Sequence, residues 1–138
     1  RPDALMPVEL PAGTSIPAVA LVTIGLGDDG RLLTQLASLG YAGAVVEAFG
    51  GGHVPAAVAP LLGDLAARMP VVLASRTGAG EVLRQTYSYP GSERDLLRRN
   101  LIPAGYLDGL KSRVLLALLL ASGADGDAVR AAFATFGS

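Results

Sequence analysis

The single histidine of the chain, His53, follows three consecutive glycines, Gly50, Gly51 and Gly52. Glycines allow a backbone to pass close to a ligand or to another chain, and an imidazole at that place can donate or accept a hydrogen bond. One histidine and no cysteine exclude a metal site built on two histidines or on thiolates. No G-x-S-x-G turn is present, so nothing supports a serine nucleophile. The plainer interpretation is a tight turn whose histidine caps the next helix or lies exposed.

The long segment 76–92 combines several glycines with Tyr87 and Tyr89, and Glu93 follows it. Ordered loops of this length are uncommon unless they have a function. A loop with tyrosines and glycine hinges is typical of a binding loop or a lid, although its charged residues also suit a solvated helix face. Glu93 and Asp95 lie two positions apart, so on a helix they point in different directions. They are therefore not predicted to act as an acid–base pair.

Residues 25–30 spell G-x-G-x-x-G between a predicted strand and a predicted helix, and Glu47 lies near the end of the next strand. A dinucleotide-binding fingerprint has this arrangement, with the acid on the ribose. Here the inner positions are Asp28 and Asp29, whose carboxylates would occupy the free amides and repel a pyrophosphate. We interpret the segment as a glycine-rich turn with an aspartate cap. A stand-alone nucleotide-binding module is the alternative.

The composition excludes several classes of protein. The chain has 138 residues, enough for one domain. Hydrophobic residues make up 51% and charged residues 17%, which is unlike a disordered chain. The longest apolar run, residues 114–121, is far shorter than the roughly 18 residues of a membrane span. The formal net charge is −1, so neither nucleic acid nor a membrane is an expected partner.

Short apolar runs rich in β-branched residues alternate with segments of helical periodicity. The runs predict four buried strands, at residues 18–24, 42–49, 70–75 and 101–104. Strands that alternate with helices through short links predict a parallel sheet covered on both faces, a three-layer α/β/α architecture of the Rossmann-like or flavodoxin-like kind. Ligands gather at the carboxyl ends of such strands. The loops that follow the first three strands are therefore the candidates for function.

Five segments are predicted to be helical. They are residues 31–39, 54–69, 93–99, 108–122 and a last helix that begins at Asp125 or Asp127. Pro60 does not suit a helix interior, so the second helix is expected to begin late or to kink there. The run 114–121 is apolar nearly all round, so its helix is expected to be heavily buried.

The ends of the chain suggest its organisation. Residues 1–17 contain four prolines, so we interpret them as a linker or lead-in, and residues 18–138 as the domain. The chain opens on Arg1, which indicates a processed product or a piece of a longer protein. No targeting segment is visible, and a cytoplasmic location is expected.

Several segments resemble the C-terminal domain of bacterial L-asparaginases. One is GYAGAVV at 40–46, which leads into GGGHVP at 50–55. Another is PVVLASR at 70–76, followed by a glycine turn. The most specific is GYL at 105–107 with KSR at 111–113, which is similar to the G-x-L-x-x-x-K-A-R block of that family. Order and spacing agree over nearly the whole chain.

The resemblance implies a domain of a larger amidohydrolase that converts L-asparagine to L-aspartate and ammonia without a cofactor. In that family the nucleophilic threonine, a second threonine, an aspartate and a lysine lie in the N-terminal domain, in T-G-G-T and T-D segments. Neither segment is present here, and the AGTS at 12–15 is not the motif. The resemblance therefore implies that the chain holds no catalytic residue and is inactive alone.

The resemblance also implies two substrate-binding residues. The C-terminal domain of the family reaches into the active site of a neighbouring subunit with an asparagine and a glutamate, which hold the α-amino end of the substrate. Glu93 falls on that glutamate and His53 on that asparagine, with Gly51 and Gly52 as further loop contacts. Histidine cannot reproduce amide geometry, so the choice between asparagine and glutamine stays open.

A second interpretation is an asparaginase-like subunit of a tRNA-dependent amidotransferase. The slightly acidic charge speaks mildly against direct tRNA contact. In both cases the face that packs on the missing N-terminal domain would be exposed apolar surface. We expect self-association to cover it, in keeping with a homo-oligomer, a dimer or a tetramer, of the family.

Overall fold

The computed structural model describes residues 7–138. Its centre is a four-stranded sheet in the order β1-β2-β3-β4, with every pair parallel. The strands are β1 Val19–Thr23, β2 Gly43–Ala48, β3 Val71–Ser75 and β4 Ile102–Pro103. All four predicted strands are confirmed, each one or two residues shorter than the prediction. Residues 7–17 form turns and irregular structure before β1, and residues 1–6 of the predicted linker lie outside the described residues.

Within residues 7–138, four α-helices cover the two faces of the sheet. They are α1 Ala59–Ala66, α2 Glu93–Arg98, α3 Gly109–Ala121 and α4 Gly126–Phe136. One core layer holds Val46 and Leu73 of the sheet with Leu62 of α1. The other holds Val45 and Val72 with Leu116 and Phe133 of α3 and α4. Because successive strand residues face opposite sides, β2 and β3 are apolar except at Glu47 and Ser75, near their carboxyl ends. The three-layer α/β/α prediction is confirmed.

The predicted helix at residues 31–39 is wrong. The structure has a single 3-10 turn there, Leu33–Gln35. Of the leucines at helical spacing only Leu33 and Leu36 are buried. One 3-10 turn is enough to bury two side chains three residues apart, and so short a segment gains little stability from further helix formation.

Two expectations about the longer helices have mixed outcomes. Pro60 lies in the first turn of α1, so the late start is correct and no kink is needed. On one side of α3, Leu110 is 66% exposed and Val114 is 60% exposed. The expectation of heavy burial is wrong at Val114, because the sheet and α4 cover only part of an all-round apolar helix. None of the described helices is long and apolar enough to cross a bilayer.

The N-cap of α4 is Asp125, which settles the alternative that the sequence leaves open. Its Oδ1 accepts a hydrogen bond from the amide of Ala128 at 2.9 Å. We expect Asp125→Ala to lower the free energy of unfolding by about 1 kcal/mol, because it removes the cap. Asp127→Ala is the matched control: it removes a carboxylate from the same turn that caps nothing, at a cost of about 0.3 kcal/mol. Urea denaturation measures both, and equal losses would contradict the assignment.

Candidate functional site

The loops after β2 and β3 meet at the carboxyl edge of the sheet. After β2 the chain reverses through an antiparallel bridge between Phe49 and His53, in which the amide of Phe49 donates to the carbonyl of His53 at 2.8 Å. The loop after β3 packs on this turn, where the amide of Leu83 donates to the carbonyl of Gly51 at 2.9 Å. The two segments that the sequence singles out separately therefore form one surface.

A hydrogen-bonded chain of three side chains, Glu93, His53 and Tyr89, lies on this surface. The Oε2 atom of Glu93 is 3.0 Å from Nε2 of His53. On the other side of the ring, the Tyr89 hydroxyl is 2.9 Å from Nδ1. Both ring nitrogens therefore have a partner. The predicted pair Glu93 and His53 does come together, although forty positions separate the two residues.

Two tyrosine rings enclose the imidazole. The Tyr87 ring meets the His53 ring edge to face with 5.1 Å between the centroids, and the corresponding distance for Tyr89 is 5.5 Å. Such edge contacts are favourable for aromatic rings. About half of each tyrosine is exposed, so the rings shield the imidazole while they face solvent themselves. The bound hydroxyl of Tyr89 is a feature that the sequence analysis missed; the only signal was the two tyrosines in a glycine-hinged loop.

Glu93 is completely buried, with 0% of its surface exposed. Its Oε1 accepts hydrogen bonds from the amides of Thr86 and Tyr87, both at 2.7 Å. Burial opposes ionisation, but these amides, the amide of Glu93 itself and the His53 ring outweigh it and hold the pKa of Glu93 below its ordinary value. The carboxylate is therefore a buried negative charge at neutral pH.

The start of α2 fixes the position of Glu93. Ser92 is the N-cap, and its side chain accepts from the amide of Asp95. Asp95 in turn accepts from the amide of Gly91 at 2.9 Å and from Nε of Arg99 at 3.1 Å. Gly91 has a φ of +87°, and its carbonyl accepts from the amide of Val54 at 2.9 Å. These bonds tie the first residue of α2 to the residue after His53.

The glycines of the first turn take different positions. A side chain at Gly52 would press against Val82 and Leu73, so Gly52 is part of the packing beneath the site. At Gly51 a side chain would meet Leu83, and this residue is partly exposed. The role of both as ligand contacts stays a prediction.

The loop 25–30 does not join this cluster by any side-chain hydrogen bond among the described residues. In this loop the amide of Gly30 donates to Oδ1 of Asp28 at 2.8 Å, and the amide of Asp28 donates to the carbonyl of Gly25. The side chain and amide of Arg31 lower the pKa of Asp29, which keeps a negative charge there. Occupied amides and fixed carboxylates are what the aspartate-capped turn predicts, and they oppose phosphate binding.

Within residues 7–138 no group of three or more histidine, cysteine or acidic side chains is placed to hold a metal ion. The chemistry available at the carboxyl edge is instead that of one buried carboxylate connected through an imidazole to a phenol. Such an arrangement can bind and orient a polar group.

Comparison with known proteins gives a consistent match. The family model described as the Glutaminase/Asparaginase C-terminal domain matches residues 18–133. A probable L-asparaginase of Deinococcus radiodurans is 41% identical over 101 residues, which cover 68% of this chain and 30% of the relative. An L-asparaginase of Bacillus licheniformis is 35% identical over 112 residues, which cover 80% of this chain and 34% of the relative.

Two further matches add to this. One subunit of the glutamyl-tRNA(Gln) amidotransferase of Methanosarcina acetivorans is 33% identical over 117 residues, 84% of this chain and 26% of the relative. The crystal structure of a probable cytoplasmic L-asparaginase from Campylobacter jejuni superposes with a TM-score of 0.74 at 29% identity, over 89% of this chain and 36% of the other. The chain spans about a third of the length of the proteins it matches.

Proposed function

Because this chain belongs to the Glutaminase/Asparaginase C-terminal domain family, we propose that it is the C-terminal domain of an L-asparaginase that converts L-asparagine to L-aspartate and ammonia. Two relatives named L-asparaginase support this reaction. The share of this domain in the reaction is substrate anchoring and oligomer contact. Bond cleavage belongs to an N-terminal domain with the nucleophilic threonine.

The observation that carries the proposal is the buried, ionised Glu93 bonded to His53 at the carboxyl edge of the sheet. A negative charge held in a site of low dielectric attracts a cation more strongly than one in water. The α-ammonium group of asparagine is such a cation. We propose that the surface over Glu93 and His53 faces the active site of a neighbouring subunit, and that these two residues anchor that end of the substrate.

The proposal extends to the organisation of the whole enzyme. Residues 1–17 connect this domain, residues 18–138, to the N-terminal domain, and the assembly is a homo-oligomer. The exposed apolar side chains Leu110 and Val114 on α3 support a contact surface of this kind. The Campylobacter jejuni protein is described as a probable cytoplasmic L-asparaginase, and we propose the same location here.

A hybrid enzyme tests the proposal. Residues 18–138 replace the matching segment of the Deinococcus radiodurans relative, and ammonia release from L-asparagine is measured. We expect the hybrid to be active and the 138-residue chain alone to be inactive. Glu93→Gln should raise KM for asparagine at least tenfold, since a charged hydrogen-bonding partner is lost.

The matched control is Glu81→Gln, which makes the same change at an exposed glutamate 3.7 Å from Arg84. It should leave KM within about twofold. A folded hybrid without asparagine-dependent ammonia release, or one whose KM is unchanged by Glu93→Gln, would contradict the proposal.

The amidotransferase subunit is the second candidate, favoured by the 33% identity to the Methanosarcina acetivorans relative. It requires a partner protein, which carries out the second half of the reaction on a charged tRNA. Stable co-purification with an amidotransferase partner, and no asparagine-dependent ammonia release by the hybrid, would favour it over an asparaginase.

A further inference from the structure

Neither the carboxylate nor the imidazole of the site has a free hydrogen-bonding position at the surface. Glu93 is fully buried, with Oε1 on two amides and Oε2 on His53. His53 uses Nε2 on Glu93 and Nδ1 on Tyr89. The most exposed of these three hydrogen-bonded side chains is Tyr89, which is 48% exposed.

The direction of the hydrogen bonds determines what Tyr89 offers to a ligand. An ionised carboxylate only accepts, so Nε2 of His53 must donate to Glu93. When the imidazole carries this one proton, Nδ1 is an acceptor, and the Tyr89 hydroxyl donates a hydrogen bond to it. The lone pairs of the phenolic oxygen are left for the ligand. The hydrogen bond that the hydroxyl donates to His53 makes that oxygen a stronger acceptor.

We infer that the hydroxyl oxygen of Tyr89 is the atom through which this domain contacts the ammonium group of the substrate. Glu93 and His53 are positioning residues that orient this hydroxyl with its lone pairs outward. The inference rests on the proposed function and deepens it, because it moves the direct contact from the predicted pair to Tyr89, which the sequence indicates only as part of a binding loop. It also gives the histidine a role that an asparagine does not share: two nitrogens that join the carboxylate to the phenol.

Tyr89→Phe in the hybrid enzyme tests the inference, because it removes the hydroxyl and keeps the ring between solvent and His53. We expect KM for L-asparagine to rise about tenfold, with kcat within twofold. The second substrate is the same amide without the α-amino group. For that substrate kcat/KM should be equal in wild type and Tyr89→Phe, since it has no ammonium group that could donate a hydrogen bond to the hydroxyl oxygen.

Tyr41→Phe is the matched control, because it removes a hydroxyl next to the amino end of β2, at the opposite edge of the sheet. It should change neither parameter. In the 138-residue chain, the imidazole nitrogen signals of His53 should show the proton on Nε2 in wild type, with a shift at Nδ1 in Tyr89→Phe. This signal is independent of activity.

The outcomes separate the two proposals. If Glu93→Gln raises KM and Tyr89→Phe does not, the inference fails and the proposed function stands. If neither raises KM, the proposed function fails as well. An equal loss of kcat/KM for both substrates would show that Tyr89 only supports the structure, and a proton on Nδ1 in wild type would overturn the assigned direction of the bonds.

Discussion

Glu93→Ala should lower the free energy of unfolding of the chain by about 3–5 kcal/mol, more than any other side-chain truncation at the site. The carboxylate is the partner of the Thr86 and Tyr87 amides and of the His53 ring. Its removal leaves a buried cavity, and the donors that face this cavity lose their partner. Urea denaturation followed by circular dichroism measures the loss, with Glu81→Ala as an exposed control that should cost about 0.5 kcal/mol or less.

The same carboxylate should make stability depend on pH. Its pKa is lower in the folded chain than the ordinary value of 4.5, so its stabilising contribution is complete above that value. The contribution is lost as pH falls from 4.5 through the folded pKa, because protonation then costs the folded state. Glu93→Gln should flatten the acid limb of the stability curve. The same acid limb in wild type and Glu93→Gln would show that other carboxylates cause it.

Gly91→Ala should cost about 3 kcal/mol or more, and it should weaken the proposed anchoring of the substrate as well. The residue has a φ of +87°, which side chains with a Cβ rarely adopt. An added methyl group would also collide with the backbone carbonyl of Val54. Because Gly91 bonds to both Val54 and Asp95, the displacement would separate Glu93 from His53.

Gly80→Ala is the matched control for this substitution. Gly80 has almost the same backbone angle, a φ of +86°, but nothing lies within 4 Å of the added methyl group. It should cost about 1 kcal/mol, the backbone strain alone. Denaturation midpoints of the two variants measure the difference. Equal costs would mean that the collision with Val54 is relieved without loss and that the turn does not hold the site together.

The elements with the simplest physical signals were predicted from the sequence. The apolar runs of β2 and β3 are buried on both faces and admit no other role in a small domain. Asp108 and Asp125 cap helices because their carboxylates reach the free amides of the first turn. The predicted helix at 31–39 failed because periodic leucines show which side chains can be buried together but not whether the backbone continues past one turn.

The candidate site divides in the same way. The residue types that carry it, a lone histidine after three glycines and a glutamate after a tyrosine-containing loop, are visible in the sequence, and the resemblance to a family points to the same two residues. Their local placement also follows from the sequence: the predicted helix at 93–99 has Glu93 in its first turn.

Only the tertiary structure decides which of these residues is accessible. The parallel order of the strands brings the loops after β2 and β3 together, and the fold of segment 76–92 places the amides of Thr86 and Tyr87 on the buried carboxylate of Glu93. Burial and hydrogen-bond direction depend on neighbours far away in the chain, so no local pattern encodes them. The sequence by itself thus determined the family and the strands and indicated the candidate site residues, while the packing of two distant loops determined that a phenol is the most exposed group of the cluster.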